Sequence, residues 1–182
     1  MHENSIVDLL EAYPIPEKKE LPKYKIYCDM DGVLTDFESR FDHYTGMTPK
    51  EYENKYGTTG FWNLIDVKVG IKFWSKMPWM PRGQELWSFI SKYNPSLLTS
   101  PSRDNGSRLG KNMWAKDNLS PNPKVIFAYS ADKQRYANPN SILIDDKKSN
   151  IKEWIASGGI AFRVKGGDIG PAIEGLKELG YE

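Results

Sequence analysis

Short apolar runs punctuate this chain at residues 24–30, 95–99, 124–128, 141–144 and 159–163, each suited to a strand buried within a sheet. After the second run, apolar positions recur at helical spacing over residues 105–117, 147–156 and 168–179. Strands alternating with helices predict an α/β fold with a parallel sheet and helical crossovers. If those crossovers are right-handed, the first and fourth strands can lie side by side. Between Phe37 and Met80 the alternation stops and the chain turns helical and aromatic, with Phe37, Phe41, Tyr44, Phe61, Trp62, Phe73, Trp74 and Trp79. The expected organisation is therefore a core of residues 23–36 and 81–182, a small helical cap over 37–80, and an N-terminal extension over 1–22. That extension carries a short helical pattern over 5–12, with Ile6, Leu9 and Leu10, then Pro14, Pro16 and a Glu/Lys run that reads as a linker.

The first apolar run ends in two carboxylates, Asp29 and Asp31, with Gly32 immediately after. In open α/β sheets ligands bind outside the carboxyl ends of the strands, so this is a site position. Asp-x-Asp there suits phosphoryl transfer: one carboxylate attacks phosphorus while the other protonates the leaving oxygen and later activates water. The plainer alternative is an Asx-type turn closed by the glycine. The second run ends in Thr99 and Ser100, whose hydroxyls and backbone N–H groups can meet phosphate oxygens, although such residues are also ordinary turn formers. The fourth run ends in Asp145 and Asp146. Adjacent acids repel unless solvated or neutralised, and hard oxygen ligands suit Mg²⁺, while an N-cap for the following helix is equally sound. Lys111, on the predicted helix after Thr99, and Lys133, after the third strand, are candidates to offset phosphate charge; the bland reading of each is a solvated lysine.

In this order the segments resemble the haloacid dehalogenase superfamily, and more closely its 5'(3')-deoxyribonucleotidase family. The resemblance rests on DMDGVLTDF, the Gly60–Trp62 triplet GFW, LLTSPS, the Lys111 and Trp114 pair, and ILIDD followed by NIKEW and GGIAF. It covers residues 23 to 165 and loosens over 63–82. It implies a three-layer Rossmann-like parallel sheet with a small helical cap inserted after the first strand. It further implies a nucleophile at Asp29 and a general acid and base at Asp31. Mg²⁺ would be held by Asp29, the Asp31 backbone carbonyl and the Asp145–Asp146 pair, Asp146 in particular. Phosphate would be bound by Thr99, Ser100, Lys111 and Lys133, with Lys111 preferred as the phosphate-side lysine. Phe37, Phe61, Trp62 and Trp74 would face the base. The implied activity is Mg²⁺-dependent hydrolysis of deoxyribonucleoside monophosphates through an aspartyl-phosphate. The alternatives are a phosphatase for another small phosphomonoester, such as a sugar phosphate, and a non-catalytic nucleotide-binding module.

Composition narrows this picture slightly. With 182 residues, the chain has room for one α/β core and a small insertion. A net charge of +1 gives no electrostatic footprint for a nucleic-acid partner. The single cysteine, Cys28, permits no intramolecular disulfide and reads as a core residue in a reducing compartment. No run is long enough to span a membrane as a helix, so a soluble, cytoplasmic protein is expected, for which the pattern allows a homodimer.

Overall fold

The computed structural model describes residues 23–182; the extension over 1–22, with its helical pattern, lies outside the described residues. Strand β1 (Lys25–Cys28) is followed by α1 (Phe37–Thr45), α2 (Pro49–Trp62), a π-helical stretch (Asn63–Val69) and α3 (Ile71–Ser75). Helix α4 (Gly83–Ile90) then leads into β2 (Ser96–Thr99), α5 (Asn105–Asn118) and β3 (Lys124–Phe127). A 3₁₀ segment (Ser130–Tyr136), β4 (Ser141–Asp145), α6 (Lys148–Ala156), β5 (Ile160–Arg163) and α7 (Gly170–Glu178) complete the described chain. The strands form one parallel sheet in the order β3-β2-β1-β4-β5. The expected α/β architecture, with helices inserted after the first strand, is the one observed.

Strand periodicity explains the layers. Ile26, Cys28, Leu97, Ile142 and Ile144 point into one core with Leu86, Ile90, Trp114 and Leu176. Their neighbours Leu98 and Leu143 point the other way and cluster with Trp154 of α6. Alternation with both faces covered by apolar side chains is what a sheet sandwiched between helices requires. The larger core runs on without a break into Phe41, Phe61, Ile65, Phe73 and Trp74 of the helical insertion.

Local signals set the helix starts. Asp36 accepts a hydrogen bond from Ser39 N and begins α1, while Thr48 and Glu51 form a reciprocal capping box with Pro49 at the first position of α2. Helix α4 and the π-helical stretch were not legible in the sequence. Helix α4 begins at Gly83, after Arg82 in a left-handed conformation (φ 59°), and has no side-chain cap; π-helices have no composition of their own. Among the described residues no helix is long and apolar enough to cross a membrane.

The insertion is held to the core where α3 meets α5. A Cβ at Gly110 would stand 2.5 Å from Trp74 Cβ and 2.8 Å from the Ile71 carbonyl oxygen. Gly110→Ala is therefore expected to lower stability by roughly 1–3 kcal/mol through overpacking, against the gain of about 1 kcal/mol that helix propensity alone gives. Chemical denaturation reads this as a lower midpoint at unchanged slope. A neutral or stabilising outcome would contradict the close packing of these helices.

Candidate active site

The sheet order places β1 between β2 and β4, so the chain leaves β1 at the point where strand order reverses. The carboxyl ends of these three strands carry Asp29, Thr99 and Asp145 side by side, in the crevice where open α/β sheets bind ligands. A cavity of about 520 Å³ opens there, lined among others by Asp29, Asp31, Ser100, Lys133 and Asp146.

Lys133 is the centre of the site. Its ammonium lies 2.7 Å from Asp29 Oδ2 and 2.7 Å from Asp145 Oδ2, and the side chain is 2% exposed. Asp145, 0% exposed, also accepts from Asn150 Nδ2 at 3.0 Å on both oxygens and from Lys147 N at 2.8 Å. Its lone pairs are thus largely committed to holding Lys133, Asn150 and the start of α6. The N-cap alternative read from the sequence is met in part by Asp145, through that bond to Lys147 N. Asp146 is different: its carboxylate makes no hydrogen bond to another of the described residues and lies against Gly32. A Cβ at Gly32 would fall 2.5 Å from Asp146 Oδ2, and its φ of +79° is one that side-chain-bearing residues rarely adopt. The glycine thus lets a carboxylate from β4 approach the loop that follows β1.

Carboxylate oxygens of Asp29, Asp145 and Asp146 all lie within 4.8 Å of one another. Burial pushes the Asp29 carboxyl up, with Lys133 opposing and Asp145 adding to the shift. Asp146 is pushed up to about 7 by burial and by the charges of Asp29 and Asp145. For Lys133, burial opposes the charge but Asp29 and Asp145 outweigh it, so its pKa is raised. Asp29 and Asp145 pair with the one ammonium and Asp146 does not, so with all three carboxylates ionised the cluster lacks two positive charges. The donor set is hard oxygen, which fits Mg²⁺.

Asp31 stands outside this cluster. Lys111 Nζ donates to Asp31 Oδ2 at 2.6 Å, to Thr99 Oγ1 at 2.8 Å and to the Ser100 carbonyl at 2.7 Å, while Thr35 Oγ1 donates to Asp31 Oδ1 at 2.9 Å. The Asx-turn alternative does not describe either acid, since Asp29 Oδ1 accepts from the adjacent Met30 N and Asp31 from Lys111 and Thr35. Lys111 is 1% exposed and stacked over Trp74 at 5.0 Å, so of the two lysines it is Lys133 that touches Asp29 and lines the cavity. Ser100 also lines it, with its hydroxyl donating to the Ala128 carbonyl at 3.1 Å.

The aromatic residues separate. Phe37 lines the cavity. Phe61 and Trp74 are buried in the insertion's core, at 6.4 and 5.9 Å from the Phe37 ring, and Trp62 is 39% exposed with its ring edge-on to Phe61. None of these three lines the cavity in the described conformation. Thr35 and Ser130 were missed by sequence reading. Ser130 donates to Asn150 Oδ1, and a lone hydroxyl at a turn has no signature to find it by. Arg163 and Lys165 also line the cavity and were missed, although their place at the carboxyl end of a predicted strand was a usable signal. Cys28 is fully buried in the core, and burial pushes its thiol up, away from thiolate reactivity.

No protein-family model matches the chain, and no curated protein matches it. Among solved structures it is similar to a haloacid dehalogenase-like family hydrolase from Xanthomonas campestris, at 14% identity and a TM-score of 0.52 over 91% of this chain and 95% of that one. It is also similar to a predicted phosphatase from Clostridium acetobutylicum, at 14% identity and a TM-score of 0.51 over 88% of this chain and 92% of that one. A protein described as a dehalogenase matches at 11% identity and a TM-score of 0.52, over 87% and 97% of the two chains. The chain therefore has the fold of the haloacid dehalogenase-like hydrolases, with an acidic cluster suited to a divalent metal and to phosphoryl transfer at the mouth of its sheet.

The charge imbalance makes stability depend on pH. Asp146 titrates at about 7 when folded and near about 3.9 when unfolded, so between these values the folded metal-free chain binds more protons. Stability without metal is expected to fall as pH rises through that window, with Asp29 shifted in the same direction. Added Mg²⁺ is then expected to raise the melting temperature more at about pH 8 than at about pH 5.5, because its ligands must be ionised. Thermal melts with and without chelator check this. A Mg²⁺ shift that is equal at both pH values, or that survives Asp146→Asn, would contradict the assignment.

Proposed function

We propose that this protein is a Mg²⁺-dependent phosphomonoesterase that forms a phosphoaspartyl intermediate on Asp29, and that it hydrolyses deoxyribonucleoside monophosphates. The observation that carries the reading is the separation of two carboxylates only two residues apart. Asp29 faces Lys133 and Asp146, whereas Asp31 is held apart by Lys111 and Thr35. Two acids in two environments is the arrangement that assigns a nucleophile and an acid–base pair.

In this mechanism an Asp29 carboxylate oxygen attacks phosphorus and the bond from phosphorus to the leaving oxygen breaks. Asp31 donates its proton to that oxygen. Asp31 then removes a proton from water as the water attacks phosphorus, which releases phosphate and restores Asp29. Lys133 holds Asp29 in place and lends charge to the phosphoryl oxygens, and Ser100 offers the phosphate a contact on the cavity wall. Thr99 accepts from Lys111 and so keeps that lysine on Asp31. Asp29 and Asp146 are the ligands we assign to Mg²⁺, with Asp145 behind them anchoring Lys133. What the metal supplies there is the missing positive charge, which neutralises the acids and polarises the phosphoryl group.

The nucleotide reading is supported by the resemblance of the motifs and by Phe37 on the wall of a cavity whose volume suits a small ligand. Residues 37–80 would act as a cap over the core formed by 23–36 and 81–182. One observation favours a smaller phosphomonoester such as a sugar phosphate: of the four aromatic residues named for the base, Phe37 alone lines the cavity.

Phosphate release with Mg²⁺ across nucleoside monophosphates and sugar phosphates decides between these. Preference for deoxyribonucleotides is expected, and Asp29→Asn is expected to lose at least about a thousand-fold in kcat while remaining folded. Retained turnover in that variant would refute the assigned nucleophile. Phe37→Ala is expected to lower kcat/KM on the preferred nucleotide by roughly five- to a hundred-fold, with a much smaller loss on a small aryl phosphate. Equal losses on both would return Phe37 to a packing role.

A further inference from the structure

The cavity over Asp29 has two unlike walls. Phe37 and Met80 give one side its apolar surface, with the carboxylates of Asp36 and Glu38 flanking Phe37, whereas Lys147, Arg163 and Lys165, from the carboxyl ends of β4 and β5, make a cationic side. In a chain with net charge +1, three cations on one wall are a local arrangement and not general basicity. All three side chains are exposed, and two of them are tethered. Lys147 Nζ donates to Ser130 Oγ at 3.0 Å, and Arg163 Nε donates to the Asp146 carbonyl at 2.8 Å. The terminal guanidinium nitrogens of Arg163 then have no hydrogen bond among the described residues. Lys165 opens a turn that includes Gly167 (φ 81°), where a Cβ would stand 2.9 Å from the Pro81 carbonyl oxygen, so the turn packs on the segment leading to α4. Lys165 has no ion-pair partner among the described residues.

The reacting phosphoryl group already has Lys133 and the metal cluster to balance it, so these three cations are surplus to a monoester. We propose that they form a second anion subsite, and that the favoured substrates carry a second phosphate away from the reacting one, as nucleoside 3',5'-bisphosphates do. A phosphate offers the several charge-assisted contacts that a guanidinium fork and two ammonium groups can satisfy together, where a single carboxylate would leave donors unused. With one phosphate at Asp29 and the other at Lys165, the nucleoside is left to the apolar wall of Phe37 and Met80. The inference rests on the phosphomonoesterase reading above for which phosphate reacts, but not for the existence of the subsite.

The test separates the two. Binding of deoxyadenosine 5'-monophosphate and deoxyadenosine 3',5'-bisphosphate to Asp29→Asn is measured by calorimetry with Mg²⁺, alone and combined with Lys165→Gln or Lys165→Glu. Turnover of both compounds is measured in the proteins that keep Asp29. The backbone bonding of Lys165 to Asp168 does not involve its side chain, so these variants are expected to fold. The bisphosphate is expected to bind at least about ten-fold tighter than the monophosphate. Lys165→Gln is expected to cut that preference by roughly three- to ten-fold, and Lys165→Glu to abolish it, with the ratio of kcat/KM values following. Equal affinity for the two ligands, absence of bisphosphate binding, or a preference that survives Lys165→Glu overturns the subsite. A bisphosphate preference without turnover of either compound upholds the subsite and refutes the hydrolase; turnover without preference does the reverse.

Discussion

A lysine ammonium almost shut off from water, 2.7 Å from each of two carboxylates, is the interaction on which this site depends. Burying such a charge is costly unless it is paired and its donors are used, and removing one partner from a buried pair typically costs about 3–5 kcal/mol. Lys133 meets that condition by joining Asp29 of β1's end to Asp145 of β4, and Asn150 secures Asp145 from the first turn of α6. The result still carries more negative than positive charge, because Asp146 is brought into the same space. That surplus disfavours the empty cluster and favours a divalent cation, so the electrostatic tension in the fold is also its binding chemistry.

Topology supplies the positions that this pairing needs. A parallel sheet with β1 at its centre sets the carboxyl ends of β1, β2 and β4 beside one another, and each contributes polar groups to the same mouth. Gly32 adds a local condition, since only a residue without a side chain leaves room for Asp146 beside it. On the other flank, Lys111 links Asp31 to Thr99 and Ser100, and Trp74 of the insertion packs over that lysine. The insertion thus reaches the chemistry through Trp74 as well as through the wall at Phe37.

Much of this was legible in the sequence because the informative signals were local. Apolar runs ending in Asp-x-Asp, Thr-Ser and Asp-Asp mark strand ends, and strand ends are where this class of sheet binds ligands. The alternation of Ile26, Tyr27 and Cys28 likewise marks a strand with both faces covered. What was not legible depends on contacts between distant segments. No spacing shows that Lys133 reaches Asp29 while Lys111 reaches Asp31, and the preference for Lys111 as the phosphate-side lysine followed its helix rather than its partner. Aromatic content over 37–80 is equally silent on which rings pack together, so Phe61 and Trp74 looked the same as Phe37 until the fold separated them. Arg163 and Lys165 escaped notice because each is an ordinary surface residue when taken one at a time, and nothing in the spacing sets them beside Lys147.

The central claim is that Asp29 becomes phosphorylated during turnover. Acid quenching of the enzyme with substrate and Mg²⁺, followed by borohydride reduction and peptide mass spectrometry, tests it directly, because an acyl phosphate on aspartate is reduced to homoserine. Homoserine is expected at position 29, with Asp31 unmodified. Modification at Asp31 or Asp146, or turnover with no modified residue at all, would contradict it.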